Sequence, residues 1–559
     1  MLKKSIHILT LYKIFLLNYW VILWFIGFLI ATLIGTIGIV QYLYQKSQSI
    51  NIQLILDTIY YTISMATLSS LPEDANNTLI LIGKTLSPLM LIVFSVSAVL
   101  SLLKDRFLLF WAHLSYSGHY LVCGLSRGSL GMIQTLREKG NKVVVLEDKG
   151  DNPLLSYCKI HNIPYMVADG GSLEAYNHLR FKKAKEIILF WEEDTRNVYI
   201  ARELNKKAKE EGKNINIQVH ISNIWLKHYY DKEGLMKEGG SNLLAINLYE
   251  NMARAFFLKV PLDSGVRHVE NPWIVIVGDG ITAKALLIWT ILYKVYPEGK
   301  ELKITVVGES SKDLVESFKR RYTYRGEFMF EDVWVDSLET KYRLINCASD
   351  LGVEEKEPQA VFVCTESDEE NMRIYEELKE EKLKVYCFLN NYHQHMDSNL
   401  LSLYKLASEL TFSLEEYDRM AKVLHNMYLE NCDKSKEACR KWEELKEVYR
   451  VSNRLSADHI WEKLRYIGLD AVYTTDKEKL REYKESYERA LKDDRLLHEL
   501  IYLEHMRYYR ERVILRDWNR VLKYKGKWQD LESRGEIMSL TKATLESYVR
   551  AMEELINVF

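Results

Sequence analysis

The chain has 559 residues, which is too long for a single hydrophobic core, so we expect several domains. Its net charge of -2 gives no general reason to expect a nucleic-acid partner. The seven cysteines are scattered and form no C-x-x-C pair, which argues against a zinc site or a disulfide scaffold. We therefore predict a multidomain protein with reduced, structural thiols.

Two apolar segments near the start of the chain are long enough to cross a membrane. Residues 14–45 and 85–103 contain no charged side chain. Basic residues precede the first segment and follow the second, and the positive-inside rule therefore places both termini in the cytoplasm. We predict a membrane region over residues 1–110, with helices at about 19–43 and 78–103, in a bacterial inner (plasma) membrane.

A shorter segment, 52–72, lies between the two spans and has the length of a helix that enters a membrane and turns back. Lys84 begins the second span, where a charge is costly unless it faces water or extends to the headgroups. A Lys84 that faced a water path would discourage cations. In the alternative, a simple hairpin, Lys84 extends to the outer lipid headgroups.

The rest of the chain begins as alternating strands and helices. This pattern predicts tandem doubly wound Rossmann-like α/β domains, one over residues 118–250 and one over 271–395. The two copies repeat at about 150 residues. From 411 to 559 strand alternation stops, and Tyr, Trp, Arg and Glu at helical spacing predict an all-α domain.

Each copy begins with a strand, a glycine turn and a helix, an arrangement that directs backbone N–H groups towards a phosphate. An acid at the end of the second strand can accept hydrogen bonds from ribose hydroxyls. Serines replace two glycines in the first copy, so the alternative that either copy has lost its nucleotide stays open. The predicted nucleotide contacts are Gly124, Ser126, Arg127, Ser129, Glu147 and Asp169 in the first copy, and Gly278, Gly280, Ala283 and Glu309 in the second.

These features together resemble a known family. Two membrane helices around a pore-loop-sized segment, followed by "VCGLSRG", "MVADGGSLEAY" and "EEDTRN", resemble prokaryotic potassium channels with regulator-of-conductance domains. The soluble part, with "IVGDGITA" and "ESDEEN" in its second copy, also resembles the tandem NAD-binding subunit of potassium-uptake systems. The resemblance implies NAD or an adenine nucleotide as ligand. A closed water path also needs several subunits, so we predict a homotetramer, with a dimer as the alternative.

The selectivity filter of that family is Thr-Val-Gly-Tyr-Gly, in which glycines allow successive carbonyls to replace the water around a potassium ion. Residues 67–71 read TLSSL and contain no glycine. Potassium selectivity is therefore not expected. The hydroxyls of Thr67, Ser69 and Ser70, with Lys84 nearby, are our predicted pore residues for a wider and less selective path.

The C-terminal segment contains "SNRLSADHIWEKLRYIG" and "LEHMRYYRERVILRDWN". These blocks resemble the prokaryotic ryanodine-receptor (RyR) repeat domain, which implies a sensor of a small nucleotide-type molecule, in some cases in antiviral systems. Arginine forks suit phosphate, and aromatic rings suit a base. The predicted ligand contacts are Asn453, Arg454, His459, Glu504, His505 and Arg507. The alternative is that these charged side chains form a buried ion-pair network.

Three hypotheses for function follow. The first is a ligand-gated membrane ion channel or channel-like effector. The second is an anchored regulatory subunit beside a separate transporter, and the third is a membrane-tethered nicotinamide-dependent oxidoreductase. The sequence presents no nucleophile, metal array or proton relay beside either nucleotide fold, so we expect no enzyme activity.

Overall fold

The structure is a computed structural model that describes residues 2–47, 50–69, 71–72, 75, 77–102, 104–235, 242–262, 269, 271–353, 356–390, 397–430, 432–528 and 531–558. Two compact units account for the chain. The first comprises Met1–Ser115 and Cys158–Tyr165, and the second comprises Tyr116–Tyr157 and Met166–Phe559.

The first unit contains the apolar helices expected from the sequence. Its helices are α1 (Leu2–Ser47), α2 (Ile52–Ala66), α3 (Thr78–Leu102) and α4 (Lys104–Ser115). Two stretches are long and apolar enough to cross a membrane, Val21–Ser47 with a mean hydropathy of 2.3 and Thr78–Val99 with 2.1. The 15-residue α2 lies between them in sequence and is too short to span.

Small residues allow α1 and α3 to approach closely. A Cβ on Gly35 would lie 2.9 Å from the Cα of Gly83, so the two backbones meet without a side chain between them. The Met65 side chain of α2 is buried against both glycines. The hydroxyls of Thr32 and Ser87 lie 2.9 Å apart. Helices α1, α2 and α3 therefore pack against one another, with a polar contact between α1 and α3.

The first α/β copy is a six-stranded sheet with the strand order β3-β2-β1-β4-β5-β6. Its strands are β1 (Tyr120–Cys123), β2 (Val143–Glu147), β3 (Tyr165–Val167), β4 (Glu186–Leu189), β5 (Asn216–His220) and β6 (Asn242–Ile246). Its helices are α5 (Arg127–Glu138), α6 (Leu155–Ile160), α7 (Leu173–His178), α8 (Asp194–Glu210), α9 (Ile224–Glu233) and α10 (Leu248–Lys259). Apolar β-branched runs such as Val143–Glu147 are buried on both faces, as a parallel sheet requires.

The second copy repeats this order as β11-β8-β7-β12-β13-β14, with a separate two-stranded hairpin of β9 and β10. Its strands are β7 (Trp273–Val277), β8 (Leu302–Gly308), β9 (Thr323–Tyr324), β10 (Glu327–Phe328), β11 (Val333–Glu339), β12 (Ala360–Val363), β13 (Val385–Leu389) and β14 (Leu400–Ser402). Its helices are α11 (Ile281–Tyr293), α12 (Ser311–Arg321), α13 (Asp368–Glu380) and α14 (Leu403–Phe412). The prediction of tandem Rossmann-like folds is confirmed.

The remainder of the chain is helical, as predicted. Its helices are α15 (Leu414–Tyr417), α16 (Arg419–Glu430), α17 (Glu447–Tyr466), α18 (Lys477–Ala490), α19 (Asp494–Ile514), α20 (Trp518–Tyr524) and α21 (Leu531–Val558). Short 3-10 turns occupy Phe181–Lys183, Tyr342–Leu344, Ala348–Leu351, Glu437–Cys439 and Trp442–Glu444. Cys432 and Cys439 are neighbours, with Cα atoms 6.0 Å apart, and the expectation of reduced thiols stays a prediction.

The last helix of each copy packs on the other copy, and we call α10 and α14 the exchanged helices. Phe256 of α10 lies 5.2 Å, between ring centres, from both Phe362 and Phe388 of the second sheet. In return, the Phe412 ring of α14 lies 5.9 Å from that of Tyr120 in β1. Each copy therefore completes its hydrophobic core with a helix from its neighbour.

Candidate functional site

The glycine turn of the first copy, between β1 and α5, is hydrogen-bonded within the chain. Gly124 has a φ of 89°, and a Cβ there would lie 2.6 Å from the carbonyl oxygen of Phe190. Ser126 caps α5, because its hydroxyl accepts a hydrogen bond from the Ser129 N–H at 3.2 Å. The Ser129 hydroxyl accepts from the Ser126 N–H at 2.8 Å. This capping box satisfies donors that a phosphate would otherwise meet.

Glu147, the predicted ribose acceptor, closes the same turn from the end of β2. Its carboxylate accepts from the Leu125 N–H at 2.6 Å and from the Lys149 N–H at 2.9 Å. Only 2% of the residue is exposed, and burial raises its pKa. Asn152 donates to the Leu125 carbonyl at 3.0 Å, so the loop after β2 covers the turn. Each carboxylate oxygen keeps a lone pair for a ribose hydroxyl, but a nucleotide could reach it only after that loop moved.

Arg196, at the start of α8, lies at the neighbouring edge of the sheet. It pairs with Asp148 at 2.8 Å and approaches Asp169 at 3.5 Å. Its guanidinium lies 4.7 Å from the ring centre of Trp191. Burial opposes ionisation of Asp148, but the hydrogen bond from Arg196 lowers the pKa of that carboxyl. The sequence prediction included Asp169 and missed Arg196, although the "EEDTRN" motif contains it.

In the second copy a different acid closes the turn. Asp279 accepts from the Ser310 N–H at 2.6 Å and from the Tyr342 hydroxyl at 2.6 Å. Burial and this hydrogen bond raise the pKa of Tyr342. Glu309, the predicted acceptor, is exposed one residue beyond β8. In both copies, then, a carboxylate bridges the first turn and the end of the second strand, where a ribose lies in this fold.

The remaining predicted residues of the second copy shape its turn. Gly278 has a φ of 147°, and a Cβ there would lie 2.7 Å from the carbonyl oxygen of Cys364. Gly280 precedes α11 and provides no side-chain cap. Ala283 is fully buried within α11, where a larger side chain would not fit against the sheet.

Arg454, a predicted contact in the helical segment, lies in a buried ion-pair network. Its guanidinium donates to the two carboxylate oxygens of Asp418, at 2.8 Å each, and to Glu447. Burial opposes its charge, yet these two carboxylates raise the pKa of the guanidinium. Arg254 of the exchanged helix α10 pairs with Asp458 at 2.7 Å in the same region. The network therefore joins the helical segment to the first copy.

A second part of the network surrounds Glu504. Arg507 binds this carboxylate at 2.8 Å and Lys463 binds it at 2.7 Å. Burial works against its ionisation, but these two cations hold the pKa of Glu504 at about 2. His459 accepts from Lys463 at 2.9 Å, and its other ring nitrogen lies 3.2 Å from the Tyr293 carbonyl. Burial, followed by the charge of Lys463, lowers the pKa of His459 well below its usual value.

A cavity of about 270 Å³ brings four of the six predicted contacts together. They are Asn453, Glu504, His505 and Arg507, and Tyr508 and Tyr524 also line the cavity. Burial lowers the pKa of His505 to about 4, so its ring is neutral at pH 7. Arg454 and His459 do not line this cavity. Across the described residues, no cluster of three or more His, Cys, Asp or Glu side chains could hold a metal ion.

Of the predicted pore residues, Thr67 and Ser69 closely follow α2, and Lys84 lies in the second turn of α3. Thr67 is the residue after α2, and its hydroxyl donates to the Ile63 carbonyl at 2.9 Å and lies 3.1 Å from the hydroxyl of Ser69. Leu68 has a φ of 61°, and the Ser69 N–H donates to the Ser64 carbonyl at 2.8 Å, so the chain turns directly after α2. Lys84 is exposed on α3, and Ser70 lies outside the described residues.

The first copy is similar to a known domain. Residues 120–235 match the family described as the TrkA-N domain. This TrkA-N segment begins at β1 and includes both the Glu147 turn and Arg196. The match covers a part of the chain and extends to neither the apolar helices nor the helical segment.

Solved structures give a more distant likeness. GsuK bound to ADP is 14% identical over 72% of this chain and 100% of that chain, with a TM-score of 0.37. The GsuK channel bound to NAD is 12% identical over 74% of this chain and 84% of that chain, with a TM-score of 0.34. Among curated proteins, the sequence finds no match.

Proposed function

We propose that the chain is one subunit of a ligand-gated, channel-like membrane protein. One observation supports this proposal above all. Two helices of membrane-spanning length flank the short helix α2, and the same chain contains a TrkA-N segment. A helix of 15 residues that packs between two spans has the size of a re-entrant segment. The proposed topology has both termini in the cytoplasm, on the basis of the positive-inside rule, and the α/β copies would then sense cytosolic ligands.

The proposed path is wide and weakly selective. The absence of glycine from residues 67–71 supports this proposal, because the carbonyl ladder of a potassium channel is built on a glycine-containing segment. Hydroxyl groups of Thr67 and Ser69 would line such a path, and Lys84 would reduce the flux of cations through it. Regulation of a separate potassium transporter by an anchored subunit remains the alternative proposal.

The proposed ligand is NAD or an adenine nucleotide. The TrkA-N match and the retained acid Glu147 support binding in the first copy, where that residue would accept from a ribose. In the helical segment, the cavity at Glu504 and Arg507 would hold a second, nucleotide-type ligand, in keeping with its RyR-like sequence. An antiviral role rests only on that resemblance and stays a prediction.

Ion flux from liposomes tests the proposed channel. Purified protein should release potassium and chloride ions from liposomes, and NAD or ADP should change the rate, because a ligand that favours one of two states shifts their populations. Lys84→Gln should raise potassium flux relative to chloride flux. Lys46→Gln, at the end of α1, is the matched control and should leave that ratio unchanged.

The outcomes separate the candidate functions. Absence of flux under every nucleotide condition, with nucleotide binding intact, would contradict the channel and favour the anchored regulator. A flux whose ion ratio is the same in Lys84→Gln and the parent protein would place Lys84 outside the path.

A further inference from the structure

A cavity of about 190 Å³ lies between the second α/β copy and the helical segment. Its walls come from the residues that precede β8 and β11, and from α19, α20 and the chain that follows α20. The cavity at Glu504 is its neighbour, because His505 and Tyr524 line both cavities. Its volume is below the range of about 300–1,000 Å³ that is typical of pockets for drug-sized molecules, so it suits a small ligand.

Two buried polar side chains line this cavity and lack a partner. Tyr502 is 7% exposed and His505 is 5% exposed. The Tyr502 hydroxyl and the His505 ring nitrogens form no hydrogen bond within the part of the chain that the structure describes. Buried polar groups in folded proteins are nearly always hydrogen-bonded. We therefore expect their partner to come from outside the chain.

The charge around the cavity is negative. Arg510 binds Asp332 at 2.6 Å, whereas Glu301 and Glu331 form no ion pair with any described residue. Burial raises the pKa of Tyr509, and the charges of Glu331 and Asp332 raise it further. The cavity therefore favours a cation over an anion. The charged side chains that line it are four carboxylates and one ammonium group, those of Glu298, Glu301, Glu331, Asp332 and Lys300.

Aromatic rings form the buried part of the lining. The His505 ring stacks on the Trp528 indole, with 5.5 Å between ring centres, and the Tyr502 ring meets the same indole edge-on at 5.1 Å. The Tyr524 ring lies 6.1 Å from that of His505. Aromatic faces attract ammonium groups, and a neutral imidazole accepts a hydrogen bond without repelling a cation. Rings, uncharged acceptors and carboxylates are together suited to a protonated amine.

We propose that this cavity binds a small organic cation that carries an ammonium group. The ammonium donates to the Tyr502 hydroxyl and to a ring nitrogen of His505, and it lies among the aromatic rings. Glu301 and Glu331 supply the opposite charge. Because the walls come from the second copy and the helical segment, the bound cation joins these two parts of the chain. The site depends neither on nucleotide sensing nor on ion conduction.

Calorimetry on the full chain in detergent tests the site, with putrescine as the probe and 1,4-butanediol as its uncharged analogue. Putrescine should bind, and butanediol should not bind measurably. Tyr502→Phe should weaken putrescine binding about tenfold or more, because hydrogen bonds to charged groups are strong. Glu331→Gln should weaken it up to about fivefold, because this carboxylate is exposed. Glu316→Gln is the matched control, since Glu316 is an exposed carboxylate of the second copy outside the cavity.

The results separate this site from general charge attraction and from the neighbouring cavity. Equal putrescine affinity in Tyr502→Phe and the parent protein would overturn the proposal, as would equal binding of putrescine and butanediol. A loss in Glu316→Gln as large as that in Glu331→Gln would also overturn it. ADP should not displace putrescine, and displacement would assign the cavity to a nucleotide instead. Glu301→Gln, a surface change that should also weaken binding, provides a further variant if Tyr502→Phe fails to fold.

Discussion

Arg454 and Arg507 illustrate how a residue type suited to anions can also hold a fold together. Each was predicted to contact a ligand, and each is bound to carboxylates within the chain. Arg507 also lines the cavity at Glu504, whereas Arg454 does not. Ligand contact by Arg507 stays a prediction, while the buried pairs of Arg454 have a direct consequence for stability.

Arg454→Ala should destabilise the protein strongly. Its removal leaves the carboxylates of Asp418 and Glu447 without their shared cation, and breaking a buried pair costs about 3–5 kcal/mol. Thermal melting of the full chain in detergent, followed by tryptophan fluorescence, measures the change. Arg495→Ala is the control, because Arg495 is 79% exposed and its pair with Glu499 should contribute less than about 1 kcal/mol. A normal melting temperature for Arg454→Ala would contradict this structural role.

The exchanged helices are the elements that most strongly connect the two copies. Phe256 lies among the rings of Phe362, Tyr386 and Phe388, all three from the sheet of the other copy. Asn251 of α10 donates to the Thr411 hydroxyl of α14 at 2.8 Å. Neither helix therefore serves as a simple connector between domains.

Phe256→Ala should destabilise both copies together. Truncation of a buried phenylalanine removes apolar contacts and leaves a cavity, at a cost of about 3–5 kcal/mol. Limited proteolysis at increasing temperature should show cleavage of the two α/β copies beginning at the same, lower temperature. Tyr229→Ala changes an exposed ring on α9 and serves as the control. Earlier cleavage confined to the first copy would show that the exchange does not couple them.

Much of the fold is predictable from local patterns, and much of the site is not. Buried runs such as Val143–Glu147 and the glycine turns indicate the parallel sheets. Asp279 accepts a hydrogen bond from Tyr342, which lies 63 residues later, so no local motif contains both residues. The position of Glu309, one residue beyond the place expected for the acid, was the indication in the sequence that this turn differs. The exchange of α10 and α14 is likewise a long-range contact.

For the molecule as a whole, oligomerisation decides whether the channel proposal can hold. Two spans on one chain cannot enclose a water path, because backbone and polar groups would face lipid. We expect a homotetramer, with a dimer as the alternative. Native mass spectrometry and light scattering in detergent should give four times the chain mass of 65.7 kDa. A monomer at all concentrations would exclude a path formed by these spans.

The exchange of helices has a consequence during synthesis on the ribosome. Phe256 and Phe257 are completely buried in the folded protein and contact rings of the second sheet, yet they are translated before any strand of that sheet. While the second copy is being translated, the nascent first copy therefore exposes the apolar face of α10 that the second sheet buries in the folded protein. Such surfaces promote aggregation and attract chaperones. We expect the chain to depend on a chaperone between those two stages of translation.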